Sequence, residues 1–377
     1  MKLKLAFAAT LLAGCSAGTP ESQAQERLVE TEAGPLRVST VASGLEHPWS
    51  LAFLPDGRML VTERPGRLRI VAADGALSAP VAGVPAVHAV GQGGLLDVAL
   101  DPDFAANGLV YLSYAEPGKG GLSGTAVARG RLAGGALEDV RVIFRQQPKV
   151  DSEHHYGSRL VFARDGRLFV TLGDRGSQRR LVHDPATHIG KVLRIERDGS
   201  VPADNPWAGR KDAAQEVFSW GHRNVQGATL HPQTGELWTH EHGPRGGDEV
   251  NITRRGLDYG WPVITYGREY HGPSIGEGSA KAGMEQPLHY WVPSIAPSGM
   301  AFYTGAAIPA WQGHLLVGAL AAMQLVRLEL SPDNRVTHEE RIGLGERIRD
   351  VRQGPDGAVY LLTDTGKASR VLRLARD

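Results

Sequence analysis

A single cysteine among 377 residues leaves the chain without a disulfide of its own, and no CxxCH run is present to hold a covalent haem. Net charge is also missing. Basic residues, 41 of them, balance 41 acidic ones, so no nucleic-acid or anionic-membrane surface is implied. From Leu36 onward no long stretch carries the apolar period of an amphipathic helix. The apolar run at residues 5–14 is too short to cross a bilayer as a helix. What the chain has instead is glycine, 48 residues against an ordinary usage of about 7%, together with 41% apolar residues. Many tight turns and a sizeable core follow, in either two ordinary domains or one large domain built from repeats.

The first residues, Met-Lys-Leu-Lys followed by that apolar run, have the charged start and short greasy middle of an export signal. The run ends Leu12-Ala13-Gly14-Cys15, which resembles a bacterial lipoprotein signal; the alternative is an ordinary signal peptide with an incidental cysteine. On the first reading residues 1–15 are the signal and Cys15 is lipidated. The polar segment 16–34 is then a flexible tether for a domain at 35–377. The expected location is the periplasmic side of a bacterial membrane, the outer membrane in particular, touched only through the lipid.

A unit of strand, glycine turn and second strand recurs six times. Its clearest copies are WSLAFLPDGRMLVTE (49–63), GSRLVFARDGRLFVTLGD (157–174) and RIRDVRQGPDGAVYLLTD (347–364). Looser copies lie at 94–115, 225–242 and 298–320, and the turn glycines are Gly57, Gly108, Gly166, Gly235, Gly313 and Gly357. One hairpin cannot bury its apolar face, but a closed ring of them can. The expected fold is all-β, a six-bladed propeller, with LRVSTVASGL (36–45) as an extra strand that pairs with the last blade and locks the ring. The turn glycines are 44 to 78 residues apart, so the surplus must sit in loops, where function concentrates.

Residues just before the innermost strands of a propeller converge at one mouth of the channel. At that point the units offer His47-Pro48-Trp49, Gln92, His154-His155, His222-Arg223-Asn224, Pro297 and Arg347. Arg347 and Arg349, two apart on a strand, point the same way and would suit a polycarboxylate, although each could equally pair with Asp350 or Glu346. In EHGPRGGDEVN (241–251), Asp248 and Glu249 on a glycine-rich turn, with Tyr259 beyond, offer hard oxygen ligands of the kind calcium takes, or a simple polar turn. His155 is a candidate base and Asp174 its candidate partner.

HPWSLAFLPDG, GQGGLLDVALDPDF, HHYGSRLVF, GHRNVQG, EHGPRGGDEVN, LDYGWP, PSIAPSGM and RIRDV, in this order, resemble the soluble aldose dehydrogenases of the glucose and sorbosone type that depend on pyrroloquinoline quinone (PQQ). The likeness covers nearly all of residues 36–374. It implies His155 as general base oriented by Asp174, Arg223 against the quinone with Asn224 beside it, and Gln92 near cofactor and substrate. It further implies Arg347 and Arg349 on the cofactor carboxylates, and the carbonyls of Gly243 and Pro244 on a cofactor-bound calcium. Asp248, Glu249 and Tyr259 fall at a second calcium. The implied reaction removes the C1 hydroxyl proton of a cyclic aldose while its hydride passes to the quinone. The products are a lactone and electrons for a separate acceptor.

One departure stands out. Where family members often carry a lysine near the cofactor, this chain has Ala321. Tyr290 and Trp291 align approximately with aromatics that cover the cofactor. Two rival readings use the same architecture: a calcium-dependent, lactonase-like hydrolase, which leaves Arg347 and Arg349 without a role, and a non-catalytic surface propeller, in which His155 is dispensable.

Overall fold

A computed structural model describes residues 26–271 and 273–376, and the expected signal and Cys15 lie outside them. The described residues form six small antiparallel sheets arranged as a six-bladed β-propeller. The innermost strands are Pro48–Phe53, Leu95–Leu100, Leu160–Phe162, Val225–Leu230, Pro297–Phe302 and Ile348–Gln353. Each lies against the next around the ring, and the sixth lies against the first. All six expected turn glycines have positive φ, between 64° and 85°, which only glycine adopts without strain.

Each blade is packed between two neighbours, so its middle strands bury both faces. This is why Met59–Glu63 and Leu168–Thr171 are continuous buried runs, whereas the outer strand Ala136–Arg145 alternates towards solvent. The core is accordingly divided into six wedges, one between each pair of adjacent blades. One wedge, between the fifth and sixth blades, holds Trp311, Tyr303, Leu316, Leu361 and Leu36.

Leu36–Leu45 pairs antiparallel with the final strand, Ser369–Ala375, so the last blade is closed by chain from before the first. The tether expected at 16–34 needs correction over its described part. Arg27–Val29 is a further strand paired with the closing one. Its polar neighbours, which suggest a solvated linker in the sequence, are ionic anchors on the fifth blade: Glu32 meets Arg327 at 2.6 Å, and its N–H donates to Glu340 Oε1 at 2.7 Å.

The inner strands share a second feature. Five of the six break register near their start, between Pro48 and Ser50, Leu95 and Val98, Val225 and Gly227, Pro297 and Met300, and Ile348 and Asp350. Such bulges re-aim side chains. The equivalent residues are Ser50, Asp97, Arg159, Gly227, Gly299 and Asp350, a layer of three charges, two glycines and a serine where apolar residues would be usual. Above this layer, at the mouth where the inner strands begin, lies the candidate site.

Candidate active site

His155 precedes the third inner strand in a left-handed conformation, φ 53°. Its Nδ1 lies 2.6 Å from Asp174 Oδ1, and its backbone N–H donates to Gln92 Oε1 at 2.8 Å. Asp174 is itself held from two sides. Trp261 Nε1–H donates to Oδ2 at 2.8 Å and the Gly176 N–H to Oδ1 at 2.7 Å. A carboxylate so fixed takes a proton-bearing Nδ1, which leaves Nε2 as the lone pair of the ring. Burial draws the His155 pKa below its ordinary value, and the Arg223 charge adds to this while Asp174 opposes it. The imidazole is thus neutral, oriented and basic on one nitrogen.

The backbone that presents His155 tolerates no side chain behind it. A Cβ on Gly173 would lie 2.2 Å from the His155 carbonyl oxygen and 3.0 Å from its Cβ. Gly173→Ala is therefore expected to displace the imidazole and lower turnover by about 100-fold, the order of loss that a misplacement of about 1 Å causes. Steady-state kinetics beside a thermal melt would separate this from unfolding.

Arg223 is buried; its Nη1 donates to the carbonyls of His242 (2.9 Å) and Gly243 (2.7 Å), and its guanidinium lies 5.4 Å from the Trp261 ring. Asn224 Oδ1 accepts from the Gly157 N–H. Beside these groups opens a cavity of about 330 Å3 whose walls come from all six blades. They include Gln92, Asn224, Arg347 and Arg349, all expected from the sequence, and Arg64, Gln226, His242 and Asp364, which were not. Arg347 and Arg349 do stand together. The local acids that might have neutralised them are engaged elsewhere, Glu346 by Arg370 and Asp350 by Arg159 and Arg352. Arg349 meets Asp364 at 3.2 Å, and its buried Nε has no acceptor among the described residues. Burial, with the Arg64 charge adding to it and Asp364 opposing, brings Arg349 down to about 10. His242 is held to about 3, first by burial, and Nε2 faces the Pro297 carbonyl at 2.5 Å.

Three of the four missed residues share a position, while Gln226 lies on the fourth inner strand. An antiparallel hairpin returns the end of its second strand to the level where the first began. Arg64, His242 and Asp364 each directly follow the second strand of their blade, and Asp174 occupies the same level in the third. Reading the units at both points would have found them. Trp261 lies within LDYGWP, a motif that offers Tyr259 as the more obvious oxygen ligand.

The residues expected at a second calcium do not form one ligand set. Asp248 and Glu249 are consecutive on the strand Asp248–Thr253 and point to opposite faces. Asp248 accepts hydrogen bonds from the N–H groups of Gly243, Ile295 and Ala296 and from Ser294 Oγ, so its carboxylate pins two loops together and is not a free ligand. Glu249 instead lies opposite Glu241 on the paired strand, and burial with the Glu241 charge raises it to about 8. The Tyr259 hydroxyl is bonded to the backbone of Arg254 and Ile252, while its ring stacks on His222, which meets Glu241 at 2.9 Å. Among the described residues, no three His, Cys, Asp or Glu side chains gather as a metal centre. The turn also presents carbonyl oxygens. The Gly243 carbonyl accepts from Arg223 and that of Pro244 from the Tyr270 hydroxyl. A Cβ on Gly243 would fall 2.2 and 2.3 Å from the Gly246 and Gly247 carbonyl oxygens, so the turn is a cradle of carbonyls that a side chain would fill.

Neither of the aromatic residues aligned to cover the cofactor lines the cavity. Trp291 is buried in the wedge between the fourth and fifth blades, and exposed Tyr290 stacks on Tyr266 outside the cavity. Ala321 lines a neighbouring open cleft of about 1260 Å3 that shares Ala296 with the cavity and carries Arg245, Arg268 and Tyr270.

Known proteins share both the fold and this site-bearing stretch of chain. Residues 45–373 match the family model described as Glucose / Sorbosone dehydrogenase. The aldose sugar dehydrogenase of Escherichia coli is 47% identical over 87% of this chain and 90% of its own length. The crystal structure of the soluble Escherichia coli aldose sugar dehydrogenase in the apo form superposes with a TM-score of 0.87 at 45% identity, covering 91% of this chain and 100% of the other. The PQQ-bound aldose sugar dehydrogenase of Streptomyces coelicolor superposes with a TM-score of 0.74 at 27% identity, covering 95% and 99%.

Proposed function

The chain belongs to the glucose/sorbosone dehydrogenase family, and on that footing we propose that it oxidises aldoses at C1 to lactones with PQQ and calcium, passing the electrons to an external acceptor. The observation that carries the reading is the pairing of a base with a polyanion receptor: His155, with Nε2 as its basic atom, stands beside a cavity whose arginines outnumber its one acid. Bound PQQ would supply the hydride acceptor, which no side chain provides. The residues present fit its carboxylates, because the buried Arg349 Nε lacks an acceptor among the described residues and Arg347 has only the Leu320 carbonyl, at 3.4 Å.

His155 would take the C1 hydroxyl proton at Nε2 while Asp174 steadies the imidazolium through Nδ1. Arg223, fixed in advance by two carbonyls, would place positive charge where negative charge develops. The Gln92 and Asn224 amides would orient cofactor and sugar by hydrogen bonds. For calcium, the carbonyls of Gly243 and Pro244 are the proposed holders at the cofactor, and the Glu249 carboxyl the proposed holder at a second site, with Tyr259 in its vicinity. We place the protein at the periplasmic side of a bacterial membrane, anchored through Cys15, on the strength of residues 1–15 alone.

The family membership removes the ground from the hydrolase and non-catalytic readings. The test is dye reduction by purified protein with a panel of aldoses. Activity is expected only with PQQ and calcium together, and a calcium chelator is expected to remove it until calcium is restored. Lactone cleavage supported by calcium alone, with no PQQ-dependent dye reduction, would replace the proposal by the hydrolase.

A further inference from the structure

Three guanidinium groups line the cavity, Arg64, Arg347 and Arg349, and only one carboxylate, Asp364. Asp364 is already divided between Arg349 at 3.2 Å and His47 Nδ1 at 2.8 Å. Arg64 gets no share of it and makes no ion pair with any described residue. Its Nη1 donates to the Gly91 carbonyl at 2.7 Å, and its buried Nε, like that of Arg349, meets no acceptor among the described residues. Two buried guanidinium donors so placed in one cavity are a costly arrangement unless something anionic completes them.

Arg64 is also held in place more firmly than a surface arginine. It directly follows the second strand of the first blade, its N–H donates to the His47 carbonyl at 3.0 Å, and its carbonyl accepts from the Leu95 N–H at 3.1 Å. A Cβ on the facing Gly94 would lie 2.0 Å from that carbonyl oxygen, so the first and second blades close tightly on the Arg64 backbone. The Arg64 charge depresses Arg349 and lowers Asp364, which sets it within electrostatic reach of both. In isolation the like charges oppose one another. A ligand with several carboxylates turns that repulsion into a shared attraction.

We propose that Arg64 is a third carboxylate-binding arginine of the cofactor cavity, acting with Arg347 and Arg349 from the opposite side of the ring closure. The inference rests on the quinone reading of the site, and PQQ, a tricarboxylate, is the ligand it addresses. The starts of the inner strands, where the sequence offers Arg347, do not include Arg64, which comes from the far end of the first hairpin, directly after its second strand.

The experiment is a titration of PQQ, in the presence of calcium, into the cofactor-free wild-type protein and into Arg64→Ala, Arg64→Gln and Arg64→Lys, followed by fluorescence quenching or calorimetry, with a thermal melt of each cofactor-free protein. Arg64→Ala and Arg64→Gln are expected to weaken PQQ binding by about 10- to 100-fold, the effect of losing one charge-assisted contact. Arg64→Lys should recover part of that loss, and added salt should weaken PQQ binding less steeply in the neutral variants than in the wild type. The cofactor-free midpoint should not fall, since an opposing charge beside Arg349 has been removed. A lowered midpoint with PQQ affinity within twofold of wild type would make Arg64 structural and overturn the proposal. Wild-type protein that binds no PQQ would overturn the quinone reading itself, and Arg64 with it.

Discussion

Replacing His155 with alanine is expected to reduce aldose oxidation by roughly 10²–10⁴-fold, the range that a positioned general base contributes, while PQQ still binds. The separation follows from the geometry. His155 donates its backbone N–H to Gln92 and meets Asp174 through Nδ1, whereas the receptor for carboxylates is built from Arg347 and Arg349 on the sixth blade. Removing the imidazole leaves that receptor intact. Dye reduction at saturating PQQ, beside a PQQ titration of the same variant, reads both quantities; a variant that retains wild-type turnover would remove His155 from proton transfer. The same residue sets a pH limit. The base works only when neutral, and burial lowers its pKa below the ordinary value of 6.5, so wild-type activity should persist at pH 6.5 and fall only as the pH drops through the lowered pKa. An unburied histidine would already be half protonated there.

Much of this is legible in the chain because it depends on local chemistry. A turn that needs positive φ selects glycine, so Gly57, Gly108, Gly166, Gly235, Gly313 and Gly357 mark the six hairpins by residue type alone. The closing strand at 36–45 can be placed because Ser369–Ala375, paired on one side with Val359–Thr363, would otherwise leave its outer edge bare. His155 and Asp174 belong to one hairpin, and their meeting follows from its antiparallel return. What stays hidden depends on contacts between blades. Asp248 and Glu249 look like a ligand pair in one dimension, yet the pleat sends one into loops beside the fifth blade and the other towards Glu241. Trp291 aligns with a cofactor cover but fills the wedge next to Met300 and Trp238. The polar segment around Glu32 reads as a linker because its partner, Arg327, lies almost three hundred residues away. Ala321 suggests a cavity short of positive charge; Arg64, on another blade, supplies it.

Arg159→Met is expected to destabilise the protein by roughly 3–5 kcal/mol, the loss found when one partner of a buried ion network is removed, and to lower Tm by on the order of 10 °C. Arg159 is 2% exposed; it meets Asp97 at 3.3 Å and Asp350 at 3.0 Å, donates Nε–H to the Gln226 carbonyl at 2.8 Å, and lies 4.1 Å from the Trp49 ring. Its partners come from four of the inner strands, and Arg159 itself directly precedes a fifth, Leu160–Phe162. Every inner strand is an edge, with N–H groups that no neighbouring strand takes up, and an edge left bare within a protein is costly. Asp97 accepts the Leu160 N–H of the following blade at 2.7 Å, and Asp350 accepts the Leu51 N–H across the ring closure at 3.1 Å. The aspartates therefore satisfy the edges, and Arg159 with Arg352 neutralises the aspartates. Glycine at positions 227 and 299 keeps the layer open, since a Cβ at the first would lie 2.0 Å from His240 Nε2 and at the second 2.3 Å from Asp350 Oδ1. Without Arg159 both carboxylates depend on Arg352 alone. Neutralising one of them as well, in Arg159→Met with Asp97→Asn, should cost less than the sum of the two single changes, because the second change removes the charge that the first left uncompensated. Strict additivity in denaturant unfolding would instead mean that the aspartates hold the edges without needing the arginine, and that the charged layer has no cooperative part in closing the ring.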